Sequence, residues 1–281
     1  MILDLLPYLA SQRIVLASQS PRRIALMTQL GLSFTQRASA FPEDLDKASC
    51  TPAEYVVRTA RGKAEDVAAT LEAEGVEFDI LVSCDTVVVR DGEIMEKPAD
   101  EAHARSMLAA LSGRSSSVCS GVVIMVREEA KKATTTKKKE QKEQKEQKEQ
   151  QEGEGGGSGG GNGVRIGAYR TETFSETTTV SFAVLSEELI DAYVRTGEPM
   201  DKAGGYGIQG IAGSFVRSID GCYYNVMGFP MHRFTAELKR MVDPSGALAK
   251  RAGRESETAA ERELVREALE KSLDERAPDG I

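Results

Sequence analysis

The chain has 281 residues, 40% of them hydrophobic, and a formal net charge of −8, so it carries enough apolar material for one large core or two modest ones. It lacks the cationic surface of a dedicated duplex nucleic-acid binder, and no stable nucleic-acid binding is expected. Four widely spaced cysteines, no signal-peptide pattern and no run of membrane-span length predict a soluble, cytoplasmic protein with reduced thiols and no membrane partner.

The run Ile14-Val15-Leu16-Ala17 reads as a buried strand. Ser20 and Pro21 follow as N-cap and first position of a helix through Ile24, Leu26, Met27 and Leu30, stopped by Gly31. Arg22 and Arg23 fall in its first turn, where partial positive charge and unpaired N–H groups make two cations unfavourable. An anion at this strand-to-helix corner offsets that cost, and phosphate is the usual one. A solvated basic turn or a modification site is the alternative.

Thr51-Pro52-Ala53-Glu54 is a capping box that opens a helix reaching about Glu74, with Val56, Ala60, Val67 and Leu71 on its apolar stripe. Lys63 falls on the same stripe, so it either snorkels outward or reaches a cleft. The β-branched run Ile80 to Val89 then carries one carboxylate, Asp85. Burying it unpaired is costly, which calls for a metal, a cation or a proton-transfer role, or else a local bulge. Asp91-Gly92 is a hairpin signal, with a return through Ile94 and Met95 that places Lys97 at a strand end. Asp100 caps a helix bearing Ala104, Met107, Leu108 and Leu111, closed by Gly113.

Strands are expected over Val118–Val126 and Thr173–Phe182, with a low-complexity insertion at 131–163 between them. That insertion holds four Lys-Glu-Gln copies and a Gly/Ser run, and has too little apolar surface to offset its ordering entropy. Such an expansion of a hairpin tip is tolerable because closure cost grows slowly with length. Ser186 caps a helix with Leu189, Ile190 and Tyr193, ended by Gly197. The glycine-rich stretch Asp201–Gly210 holds Lys202, Tyr206 and Gln209, so backbone can approach a ligand while side chains recognise it. Asp220-Gly221 reads as a second hairpin, joining strands Phe215–Ile219 and Cys222–Val226, before Gly228-Phe229-Pro230 leads into a final helix. One domain over 1–245 and a charged tail or surface helix over 246–281 complete the organisation.

The only histidines are His103 and His232, in unrelated contexts, which argues against histidine-spaced zinc sites and a Ser-His-Asp triad. Neither of the common glycine-rich nucleotide loops is present. What remains is Arg22, Arg23, Glu43, Lys63, Asp85, Lys97 and Lys202: cations that can hold phosphates and carboxylates that can hold Mg²⁺.

The stretches Leu16–Arg23, Phe41–Asp46, Asp85–Val88, Glu96–Pro98, Leu111–Gly113, Ser120–Val122, Thr196–Gly210 and Asn225–Pro230 resemble, in order and spacing, the Maf family of nucleotide pyrophosphatases. That family includes a Maf-like domain fused to a methyltransferase-like domain in some animal proteins. The resemblance implies an α/β fold of the two-lobed Maf and ITPase-like kind, with a mixed central sheet flanked by helices and an active-site cleft. It implies metal-dependent hydrolysis of nucleoside triphosphates between the α and β phosphates, with Mg²⁺ or Mn²⁺, giving a monophosphate and pyrophosphate. By the family's pattern Ser18, Arg22 and Arg23 would hold phosphates, while Lys63 and Lys97 neutralise developing charge. Glu43 and Asp85 would bind the metal, Asp85 being alternatively the general base. The Asp-Lys-Ala-Gly and Ile-Gln-Gly signatures resemble the branch acting on dTTP and UTP, with modified pyrimidine nucleotides as further substrates, and place Lys202 and Gln209 in the site. Ser83-Cys84, Ser116 and Ser120 depart from the family's usual Gly-Ala, His and Thr. Family members are often homodimers, and a nucleotide-binding regulator of septum formation is the alternative function.

Overall fold

The computed structural model describes residues 2–128, 164–166, 168–243 and 245–246. The expected insertion at 131–163 and, Gly246 apart, the expected tail at 246–281 lie outside the described residues. Helices α1 (Leu6–Ala10), α2 (Pro21–Gln29), α3 (Pro52–Ala73), α4 (Glu101–Leu111), α5 (Glu187–Val194), α6 (Tyr223–Met227) and α7 (Met231–Val242) flank the sheet. Its strands are β1 (Ile14–Ala17), β2 (Thr35–Gln36), β3 (Ile80–Arg90), β4 (Glu93–Met95), β5 (Ser115–Arg127), β6 (Val164–Ile166), β7 (Tyr169–Phe182) and β8 (Val216–Asp220).

The sheet is mixed, in the order β2-β1-β3-β5-β7-β6, with β4 added to β3 and β8 to β7. β1 runs parallel to β2 and β3, and the other pairings are antiparallel. Three long strands, β3, β5 and β7, pass through both lobes. Around their first-lobe halves, alternation sends Leu16, Val82 and Ile124 to the core shared with α2 and α7. Val15, Leu81 and Val123 face Ala60, Ala64 and Val67 of α3 on the other side. Further along β3, Val88 joins α4, α5, Phe182 and Tyr206 in a second core. This is the two-lobed α/β architecture the resemblance implies. Among the described residues no helix is long and apolar enough to cross a membrane.

The gap between the lobes comes from strand lengths. β1 ends at Ala17 opposite Ser83, whereas β4 joins β3 only from Val88 onward. Cys84 to Val87 therefore have no strand partner on that edge, and a cleft opens there at the carboxyl end of β1.

Helix α3 starts as its capping box predicts: the Thr51 side chain accepts from the Glu54 N–H and the Glu54 carboxylate accepts from the Thr51 N–H. Asp91 (φ 51°) and Gly92 (φ 86°) make the expected β3–β4 turn with both residues left-handed. Three local expectations need correction. Ser20 occupies the N-cap position of α2, but its side chain makes no capping bond. β4 ends at Met95, so Lys97 lies in the connection beyond the strand. The segment after Asp220-Gly221 is not a returning strand: Tyr223–Met227 is helical, ended by Gly228 at φ 109°. Buried Asn225 explains this, because its Nδ2 donates to the Val118 and Glu176 carbonyls and to Thr178 Oγ1, anchoring a turn that a ladder would have pulled away. Thr178 Oγ1 also bonds the Cys222 N–H and carbonyl, replacing the strand pairing those groups would need.

Candidate active site

A cleft of about 870 Å³ lies over the open edge of β3. Asp85, 7% exposed, stands on its floor. Lys63 reaches it from α3, with Nζ 2.9 Å from Asp85 Oδ1 and 2.9 Å from Glu43 Oε1. The stripe lysine therefore faces the cleft rather than snorkelling to bulk solvent. Two glycines make this possible. Opposite Asp85 on β5, Gly121 lets α3 pass so close that a Cβ there would stand 2.4 Å from the Val56 carbonyl carbon. Gly62, beside Lys63, accepts the Phe41 ring at what would be 2.3 Å from a Cβ, which brings the acidic loop and Glu43 over the lysine.

Thr86 and Asp85, consecutive on one strand, point to opposite faces. Asp85 meets α3, while Thr86 meets α2 through the Arg23 guanidinium. Ser18, at the end of β1, accepts from the Ser20 N–H at 3.2 Å and from Arg23 Nη1 at 3.3 Å. Arg22 instead crosses the cleft and pairs with Asp201 Oδ2 at 3.3 Å. Lys202 donates to Asp201 Oδ1 at 2.6 Å and to the Glu198 carbonyl at 2.7 Å. Lys97 and Gln209 line the same cleft, both exposed, and Lys97 makes no ion pair among the described residues. All nine residues singled out from the sequence (Ser18, Arg22, Arg23, Glu43, Lys63, Asp85, Lys97, Lys202 and Gln209) line this one cleft.

The sequence reading missed Glu96, Asp201 and Thr86. Glu96 accepts from Tyr55 Oη and Lys47 Nζ, each at 2.7 Å. Burial works against its ionisation, yet the bonds from Lys47 and Tyr55 hold its carboxyl below the usual range. Asp201 behaves alike: burial raises it, and Lys202 and Arg22 together bring it down. Glu96 sits beside Lys97 in one quoted motif and Asp201 beside Lys202 in another, so adjacency was the available signal. Among the described residues no group of three His, Cys, Asp or Glu side chains is placed to hold a metal ion.

These depressed carboxyls set a pH dependence. A carboxyl lowered by folding contributes stability that is complete above its ordinary value, 4.5 for Glu96 and 3.8 for Asp201, and is lost as pH falls through the lower folded value. The melting temperature is expected to fall on acidification below about pH 4.5. A Glu96→Gln/Asp201→Asn variant melts lower at neutral pH and loses less on acidification, which a melting series from pH 7 to 3 checks. An equal acid slope in the variant would remove these pairs from the account.

The family model described as Maf-like protein matches residues 13–154 and 161–241. The chain is 39% identical over 238 residues to a human protein named probable bifunctional dTTP/UTP pyrophosphatase/methyltransferase protein, covering 84% of this chain and 33% of that one. It is 39% identical over 222 residues to the dTTP/UTP pyrophosphatase of Symbiobacterium thermophilum, covering 79% of this chain and 90% of the relative. A protein of the same name from Salinibacter ruber is 38% identical over 227 residues, with 80% and 89% covered. This chain thus spans a third of the human relative and about nine-tenths of the bacterial ones. With the cleft built from the quoted motifs and the match running through both lobes, the chain belongs to the Maf-like protein family.

Proposed function

We propose that this chain hydrolyses the α–β phosphate bond of nucleoside triphosphates, dTTP and UTP foremost, releasing a nucleoside monophosphate and pyrophosphate. The observation that carries this reading is a buried carboxylate, Asp85, joined through Lys63 to Glu43 at the floor of a cleft lined by arginine and lysine. A water molecule attacks phosphorus in line, the bond to the bridging oxygen breaks, and pyrophosphate departs with the bonding pair. Asp85 keeps Oδ1 on Lys63, while Oδ2, free of hydrogen bonds among the described residues, receives the proton of the attacking water. Ser18, Arg22 and Arg23 hold the phosphates, and Lys63 and Lys97 offset charge as it develops.

The donor set suits a divalent ion. Two carboxylates converge on one ammonium, and Mg²⁺ commonly takes one or two carboxylates, filling its remaining positions with water and substrate phosphate. Glu43 would hold it, joined by Asp85 where that carboxylate acts as a ligand instead of as the proton acceptor. When bound, the ion neutralises phosphate charge. Lys202 and Gln209, which line the cleft together with buried Tyr206, recognise the nucleoside in this reading. No methyltransferase activity is proposed, since the human relative is three times as long as the matched region.

Pyrophosphate release from a panel of nucleoside triphosphates with Mg²⁺ or Mn²⁺ tests the proposal. Release from dTTP and UTP ahead of the others is the expected result. Turnover led by another base would keep the reaction and overturn the base preference. Tight binding without release from any nucleotide would favour the regulator.

A further inference from the structure

Arg23 must present charge to phosphate, and a long flexible side chain does so well only if something holds it. Its guanidinium meets three oxygens, all neutral. Nε donates to the Gly228 carbonyl at 2.9 Å, Nη2 to Thr86 Oγ1 at 2.9 Å and Nη1 to Ser18 Oγ at 3.3 Å. No carboxylate pairs with it among the described residues, so its charge is oriented without being cancelled. Arg22 is the contrast: its partner is the carboxylate of Asp201, which offsets part of its charge.

Thr86 is the centre of this arrangement. Because its oxygen accepts from Arg23, its own proton goes to Ser120 Oγ at 2.9 Å or to the Gly228 carbonyl at 3.2 Å. Thr86 and Ser120 are direct cross-strand partners in the β3–β5 ladder, and Ser120 is fully buried. The strand register therefore sets their separation. The Gly228 carbonyl, at the left-handed end of α6, lies 3.2 Å from Thr86 Oγ1, so the helix end and the sheet together hold the Nε and Nη2 edge of the guanidinium.

We propose that Thr86, backed by Ser120, is a positioning residue that fixes Arg23 as a preformed, un-neutralised receptor for the phosphate chain. The role rests on the pyrophosphatase reading only for its use in turnover, because anion binding can be measured separately. Removing the hydroxyl leaves a guanidinium N–H without its acceptor, and a hydrogen bond to a charged group is commonly worth about 10- to 100-fold in binding.

The test is a cycle of Thr86→Val, Arg23→Ala and the double variant, with Thr86→Ser as rescue. Binding of inorganic tripolyphosphate is read by calorimetry without added divalent metal, beside KM and kcat for dTTP. Thr86→Val is expected to weaken tripolyphosphate at least about 10-fold, Thr86→Ser to stay within about 3-fold, and Thr86→Val to add nothing once Arg23 is gone. Full additivity in the double variant, or an unweakened Thr86→Val, would overturn the proposal. Should Thr86→Val fail to fold, Ser120→Ala takes its place in the same cycle and must likewise lose its effect without Arg23. Wild-type protein that binds tripolyphosphate but hydrolyses no nucleotide would sink the pyrophosphatase reading while leaving the clamp to be judged on the cycle.

Discussion

Asp85→Asn is expected to fold normally and to lose turnover by at least about 10²-fold. The substitution keeps the shape of a side chain that is 7% exposed, and an amide oxygen can still accept from Lys63. What disappears is the negative charge, and with it the proton acceptor or, in the alternative role, one of the two carboxylates that would hold the ion. Lys63 keeps Glu43, whose side chain is 55% exposed, so the ammonium is not left buried without a counter-charge. Pyrophosphate release measured beside a melting curve separates the two effects. A folded variant with near-wild-type turnover would remove Asp85 from the chemistry.

Gly121→Ala is the second large effect, expected in stability first. A Cβ at this position would lie 2.4 Å from the Val56 carbonyl carbon, 2.5 Å from its oxygen and 2.5 Å from the Val57 nitrogen. These are backbone atoms of α3 and cannot rotate aside, so the helix must move away from the sheet. Overpacking of this kind costs about 1–3 kcal/mol or more. In a domain of this size that lowers the melting temperature by about 2–12 °C. The same displacement carries Lys63 away from Asp85, so turnover measured well below the melting point should fall as well. An unchanged melting temperature would overturn the close backbone contact between α3 and Gly121.

Both predictions rest on a register no local pattern reveals. The strand carrying Asp85 was readable from its β-branched run, and the helix carrying Lys63 from its capping box and stripe. Lys63 remained ambiguous between solvent and cleft, because periodicity tells which face a residue occupies and not what that face meets. The answer depends on Gly121, which is 58 residues away in the chain and lets α3 lie against β5. The Arg22-Arg23 anomaly was visible as a broken helix rule, yet the two arginines have different fates. Arg22 meets Asp201, 179 residues on, and Arg23 meets three neutral oxygens.

The misread turn after Asp220-Gly221 has the same origin. Its dipeptide suits a hairpin, but buried Asn225 finds the Val118 and Glu176 carbonyls only once β5 and β7 are paired. By itself the sequence determined most element types, the order of the motifs, the family and the charged inventory, since these depend on neighbours along the chain. Tertiary structure alone decided where the cleft opens, which cations stay unpaired and which hydroxyls hold Arg23. Those depend on strand lengths and register between distant segments, and a charge or a hydroxyl acquires its role from the partner that packing places within 3 Å or so of it.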